Sequence, residues 1–328
     1  MKIPGFVDLQ VNGYKWVDFS SPELTKEQFV TACKELIRHG TIGFLPTVIT
    51  SSVATYKRNL RLMADAMNHY DLSPSILGFH IEGPFISAKD GARGAHNPAW
   101  IRKPDIRFLD KLYEWSGENI KLLTLAAELE GAADLCKYAV TELGITVSLG
   151  HQMALEADLE EKVACGARSL THLGNGIPKY LHRHANPLWA GLANDDLIAM
   201  VITDGHHLPP SIIKTIIRTK GASNVIVVSD ASPIAGLSPG TYHTLGNDVI
   251  LEDSGRLYNP ETGYLVGSSS TMLECMNHLL SLELISFNEL LETGFYNPLR
   301  LIGADPSPME NFERYVQKKK NKFVLTRE

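Results

Sequence analysis

Short apolar runs that end in polar residues recur along this chain, separated by longer stretches whose apolar positions follow a helical spacing. Eight runs read as strands: FVDLQV, TIGFLPTVI, ILGFHIEG, IKLLTLAAE, TVSLGH, SLTHL, LIAMVITDG and NVIVVSDA. They are rich in β-branched residues and apolar almost throughout, as strands covered on both faces are. Residues 25–38, 52–69, 129–143, 155–165 and 210–220 read as amphipathic helices between them. Connections of that length suit parallel pairing, so the alternation predicts an α/β fold, a (β/α)8 TIM-type barrel; an open doubly wound sheet is the alternative. The 328 residues then form one domain over 1–328.

Three segments interrupt the rhythm. Residues 84–105, with ISAKDGARGAHNP, are too polar and glycine-rich for a regular element and read as a lid or substrate wall. Residues 242–262 read as a turn-rich insertion, and GSSSTM from Gly267 as a loop entering a helix through a Ser or Thr cap. From Asn311 an amphipathic stretch leads into QKKKNKF, whose Lys318, Lys319, Lys320 and Lys322 read as a solvated helix end.

Composition changes this picture little. With 44% hydrophobic residues, 21% charged residues and a net charge of −6, the chain is ordinary for a globular protein and lacks the basic footprint of a nucleic-acid binder. No apolar run has the length of a membrane span, and the start MKIPGFVDLQVNG has no signal-like core, so the expected location is the cytoplasm, with no membrane partner. Cys33, Cys136, Cys165 and Cys275 make no CxxC pair and read as small core fillers in a reducing compartment.

Glu82, His151, His172 and Asp230 each stand at the polar end of a strand run, in FHIEGP, VSLGH, SLTHLGN and VIVVSDA. In a (β/α)8 barrel such ends share the face that carries the chemistry. Two imidazoles and a carboxylate suit zinc, or less decisively iron, and leave a coordination position for water. The separate Asp can then take that water's proton. One such residue alone also fits a cap or a supporting contact; four together point to a metal-dependent hydrolase.

PGFVDLQVNG, HIEGPF, GAHNP, VSLGH, THLGNGIP, TDGHH, VSDASPIAG and LVGSSSTM, in this order, resemble the N-acetylglucosamine-6-phosphate deacetylase family of the amidohydrolase superfamily. The resemblance runs from Pro4 to Met272 and touches NPLRLIG near Asn297. It implies that Glu82, His151 and His172 hold one divalent metal, zinc or alternatively iron, and that Asp230 deprotonates the attacking water and later protonates the amine. His206 resembles the family residue that contacts the substrate carbonyl. Asn175 and Gly176 fall on the segment that meets the sugar phosphate, and Gly267 on backbone near the ligand. Arg183, between His182 and His184, falls where the neighbouring subunit of a homodimer supplies a phosphate contact, a task suited to a guanidinium fork. His96 and Asn97 lie at the mouth of the site, with loop hydrogen bonding expected of His96.

The implied reaction is hydrolysis of N-acetylglucosamine 6-phosphate to glucosamine 6-phosphate and acetate. The alternatives are hydrolysis of another N-acyl sugar or a cyclic amide, or a non-catalytic carbohydrate-binding barrel. Gln10 and Asn12 stand where many amidohydrolases carry an HxH pair, which favours one metal over two. The small β-sandwich that the family builds from both termini is expected to be missing or vestigial. Trp16 and Gln152 replace smaller family residues near the pocket.

Overall fold

The computed structural model describes residues 2–69, 72, 74–310 and 316–326. Eight parallel strands form one sheet: β1 (Phe6–Val11), β2 (Thr41–Ile49), β3 (Phe79–Glu82), β4 (Ile120–Leu125), β5 (Thr146–Leu149), β6 (Ser169–Leu170), β7 (Ile198–Ile202) and β8 (Val225–Val228). Each strand pairs with its neighbour in chain order, and helices fill the crossovers: α1 (Lys26–Arg38), α2 (Val53–His69), α3 (Ile106–Trp115), α4 (Ala132–Thr141), α5 (Glu156–Ala164), α6 (Pro187–Ala193) and α7 (Pro210–Lys220), with α8 (Met272–Ser281) after β8. This is the (β/α)8 barrel, and the open doubly wound alternative falls because strand order follows chain order without reversal.

Local chemistry starts the helices where the pattern places them. Thr25 and Gln28 form a capping box on α1, and Thr271 and Glu274 form another on α8, the helix expected after GSSSTM. Asp105 caps α3 and Asn186 caps α6, two helices the sequence reading did not pick out. An apolar cluster including Leu45, Leu122, Met200, Ile226 and Val228 fills the barrel, with Phe295, Leu299 and Met309 packed against it. Residues two apart on a strand share a face. One such step beyond Leu122 lies Thr124, in a buried polar layer: His80 Nε2 is 2.8 Å from Thr124 Oγ1, which is 2.8 Å from Thr171 Oγ1, itself 2.6 Å from Ser148 Oγ. Glu82 is the next inward residue of β3 after His80.

Closure between β1 and β8 is mostly a matter of side chains. Val11 bridges Ala231, and Asn12 N–H donates to Ala231 O at 2.8 Å. Asp8 accepts from the Ser229 N–H at 3.1 Å, the Gln10 N–H at 3.2 Å and the Ser229 hydroxyl at 2.5 Å. Burial, opposed by these donors, pushes its pKa up to about 7. A folded pKa above the unfolded value of about 3.9 binds the proton more tightly in the native state, so this stabilisation is complete below about pH 4 and is lost as pH rises through 7. Asp8→Asn, which cannot ionise, is therefore expected to lower the urea midpoint most at pH 5 and least at pH 8. A constant difference across that range would show that Asp8 stays ionised in the folded protein.

Two segments differ from expectation. The turn-rich insertion is a three-stranded antiparallel sheet, β9 (Gly240–Thr244), β10 (Asn247–Leu251) and β11 (Leu257–Tyr258), with a small core of Ile234, Val249, Leu251, Leu257 and Val266. The expected lysine-rich helix end is instead a hairpin, β12 (Val316–Lys319) and β13 (Lys322–Leu325), with β12 also pairing to Lys2–Ile3; residues 311–315 lie outside the described residues. Val316 and Phe323 bury the inner face of this sheet, Phe323 edge-on to Phe6 at 5.1 Å, while Lys319, Lys320 and Lys322 are exposed around the turn and Lys318 Nζ lies 4.7 Å from the Phe287 ring centre. The two ends of the described chain thus meet in one three-stranded sheet.

Candidate active site

The ends of β3, β5, β6 and β8 bring Glu82, His151, His172 and Asp230 to one cavity of about 480 Å³. His151, His172 and Asp230 leave their strands with φ of 49°, 30° and 49°, in the left-handed region that non-glycine residues avoid. Such strain persists where the surroundings over-determine it, and here these three side chains line the cavity.

Glu82 Oε1 is 3.2 Å from His151 Nε2 and 3.0 Å from His172 Nε2, and the two imidazole nitrogens are 3.0 Å apart. His151 Nδ1 lies 2.8 Å from the Ala92 carbonyl, which can only accept, so its proton sits there and Nε2 presents a lone pair to the cluster. A single proton on His172 Nε2 can serve one of these short contacts, whereas one cation serves all three. Donors about 2.0–2.1 Å from a tetrahedral zinc stand roughly 3.3 Å apart, close to the spacing found. The charges point the same way. Burial would raise the Glu82 pKa, but the adjoining His151 and His172 outweigh it and hold the carboxyl well below its usual range; burial would likewise lower the His172 pKa, yet the Glu82 carboxylate raises it.

Glu82, His96 and His151 also place one donor atom each within 4.8 Å of one another, so a buried metal-binding group is present. His96 Nε2 stands 3.7 Å from Glu82 Oε2, and its Nδ1 meets Thr50 Oγ1 at 2.8 Å and the Thr50 N–H at 3.3 Å. Burial and the nearby His151 push the His96 pKa down to about 3.

Gln10 Nε2 donates to both Glu82 Oε1 (2.7 Å) and Asp230 Oδ1 (3.1 Å), and Asn12 Nδ2 donates to Asp230 Oδ1 at 2.7 Å. The two amides that stand in place of an HxH pair therefore orient the carboxylates. Burial and the Glu82 charge raise the Asp230 pKa.

Asn175, Gly176 and Gly267 line the same cavity. A Cβ on Gly176 would stand 2.9 Å from His151 Nδ1 and 3.1 Å from His172 Cε1, so only a glycine lets this loop close over the imidazoles. Asn175 Nδ2 is buried without a hydrogen-bond partner. Arg183 is exposed on the loop that follows and is not among the lining residues. Nor is His206, whose Nε2 would lie 3.3 Å from a Cβ on Gly255 of the insertion. His207 lines the cavity instead, its Nδ1 2.8 Å from Asp204 Oδ2. Burial opposes ionisation of Asp204, but His207 outweighs it and lowers the Asp204 pKa. The sequence reading passed over His207, since adjacent histidines in TDGHH cannot be told apart without the turn made by Asp204, which accepts both following N–H groups.

Lys179, Tyr264 and Leu245 were also missed. Lys179 is the one lysine or arginine on the cavity wall among the described residues; its Nζ donates to Thr262 O at 2.6 Å and lies 4.5 Å from the Tyr264 ring centre. Trp16 stays outside this cavity, edge-on to Tyr242 at 5.1 Å, and Gln152 Oε1 accepts from the Ala127 N–H at 3.1 Å. No helix among the described residues is long and apolar enough to cross a membrane.

Comparison with known proteins identifies the family. The family model described as "Amidohydrolase family" matches residues 1–306. The N-acetylglucosamine-6-phosphate deacetylase of Bos taurus is 34% identical over 312 residues, covering 92% of this chain and 74% of that protein. The protein of the same name from Caenorhabditis elegans is 33% identical over 316 residues, covering 92% and 73%. The crystal structure of N-acetylglucosamine-6-phosphate deacetylase from Thermotoga maritima superposes with a TM-score of 0.83 at 28% identity, covering 98% of this chain and 83% of that one. The chain belongs to the N-acetylglucosamine-6-phosphate deacetylase family of the amidohydrolase superfamily.

Proposed function

We propose that this protein hydrolyses N-acetylglucosamine 6-phosphate to glucosamine 6-phosphate and acetate with one divalent cation, zinc or alternatively iron. The observation that carries this reading is the convergence of Glu82, His151 and His172 within 3.2 Å, tied through Gln10 to Asp230, in a chain of this family. We assign the third ligand to His172 over His96, because the Thr50 N–H donates to His96 Nδ1 and places the His96 proton on Nε2. A cation held there supplies Lewis-acid polarisation of water and of the amide carbonyl.

Asp230 takes the water's proton on Oδ2, since Gln10 and Asn12 already occupy Oδ1. It returns that proton to the departing nitrogen, which amide cleavage requires because an unprotonated amine leaves poorly. His207, whose Nδ1–H donates to the Asp204 carboxylate, can stabilise the carbonyl oxygen as it gains charge by donating from Nε2 when both ring nitrogens carry a proton. The sugar phosphate lies over Asn175 and Gly176, with Lys179 supplying positive charge. A homodimer would bring the exposed Arg183 of a second copy to the same phosphate.

Free-amine release from N-acetylglucosamine 6-phosphate, beside the unphosphorylated sugar, tests the reading. The phosphorylated substrate is expected to win by at least about 100-fold in kcat/KM, since losing charged phosphate contacts forfeits roughly 1.5–3 kcal/mol each. In the same assay His207→Asn should lower kcat by about 10²-fold, the loss expected for an oxyanion donor. His206→Asn should leave it nearly unchanged. Equal rates on the two sugars would sink the phosphate assignment and favour a different N-acyl substrate; no release from either, with metal bound, would favour a binding barrel.

A further inference from the structure

The reaction cavity has a neighbour. A second cavity of about 400 Å³ lies over the ends of β1 and β2, and the two share two lining side chains, Ile49 and Leu245. Ile49 ends β2 and pairs in register with Glu82 of β3, so it stands directly beside the carboxylate of the reaction centre. Leu245 and Gly246 form the two-residue turn between β9 and β10, with φ of 49° and 72° and Thr244 paired to Asn247. Positive φ at both central positions marks a type I′ turn, a tight connection that holds Leu245 in place between the cavities. Behind this wall the second cavity is flanked by Trp16 and Trp100, 58% and 41% exposed, with Asp18, Ser51 and Asn97 among its polar groups.

The direction of the substrate gives the wall its meaning, and here the inference rests on the deacetylase reading. A carbonyl carbon carries the amide nitrogen on one side and the acyl chain on the other. With the sugar and phosphate over Asn175, Gly176 and Lys179 after β6, the acyl chain faces away from β6, toward Ile49 and Leu245. A methyl group ends at this wall; a longer chain collides with it. We infer that Ile49 and Leu245 set the upper size of the acyl group, and that the tryptophan-flanked cavity is the space a larger acyl group enters when the wall is cut back. Trp16 and Trp100 offer the apolar surface an alkyl chain covers.

The test is kcat/KM for the N-acetyl, N-propionyl and N-butyryl derivatives of glucosamine 6-phosphate with the wild type, Leu245→Ala and Ile49→Val. One methylene is worth about 10–200-fold in a pocket that discriminates by size. The wild type should therefore fall at least about 10-fold from acetyl to butyryl. Leu245→Ala should raise the butyryl-to-acetyl ratio about 10-fold or more, and Ile49→Val should raise the propionyl-to-acetyl ratio a few-fold. Ratios within about twofold of wild type in both variants, with melting temperatures showing each folded, would overturn the inference. A second readout needs no turnover. Adding the N-butyryl compound to Asp230→Asn/Leu245→Ala should quench tryptophan fluorescence, and the quench should disappear when Trp16→Phe and Trp100→Phe are added. No quench overturns the acyl route even if the enzyme is active, whereas a quench without turnover of any derivative in the wild type overturns the deacetylase reading alone.

Discussion

Asp230→Asn is expected to lower kcat on N-acetylglucosamine 6-phosphate by roughly 10²–10⁴-fold, the usual worth of a positioned acid–base group. Its metal content and melting temperature should stay close to wild type. The reason lies in the division of labour within the side chain. Oδ1 accepts from Gln10 Nε2 and Asn12 Nδ2, and the carbonyl oxygen of an asparagine can accept both bonds in the same place. Only the second oxygen is replaced, and with it the capacity to take and return a proton. Burial and the Glu82 charge raise the Asp230 pKa, so wild-type activity should fall on the acid side as this group protonates, and the residual activity of the variant should lack that limb. A variant with more than about a tenth of wild-type kcat would remove Asp230 from the proton pathway and direct attention to His207.

The second large effect is on metal retention. Glu82→Gln and His172→Ala should each lose the cation on purification, judged by elemental analysis, and should lose the rise in melting temperature that a bound ion gives the folded state. His96→Asn should retain most of its metal, because His96 is held by Thr50 through the nitrogen that a ligating imidazole would need protonated. Losing a supporting contact of that kind weakens affinity about 10–100-fold, while removing a ligand weakens it further. The opposite pattern, with metal kept in His172→Ala and lost in His96→Asn, would make Glu82, His96 and His151 the ligand set. It would also place His172 among the groups that meet the substrate.

Much of the architecture was legible along the chain because it depends on local periodicity. Eight apolar runs with helical spacing between them can bury both faces of a parallel sheet in few ways, and polar residues at the strand ends then share one face. Glu82, His151, His172 and Asp230 were therefore readable as a group. Their φ values were not, because nothing in VSLGH or VSDA signals a left-handed turn by a residue with a Cβ. The C-terminal lysines misled for a related reason. Charge suggested a solvated helix end, while the burial of Val316 and Phe323 on one face of a hairpin depends on a partner strand at the far end of the chain.

What the sequence by itself determined was the barrel, its order of elements and the residue types available at its rim, all consequences of hydrophobic pattern and chemistry over short distances. Tertiary structure alone decided which of two adjacent histidines faces the cavity, that Lys179 and Leu245 join its wall, and that His96 approaches Glu82 from a loop. Each of these follows from where a loop folds back after leaving its strand, which depends on contacts between residues far apart in the chain.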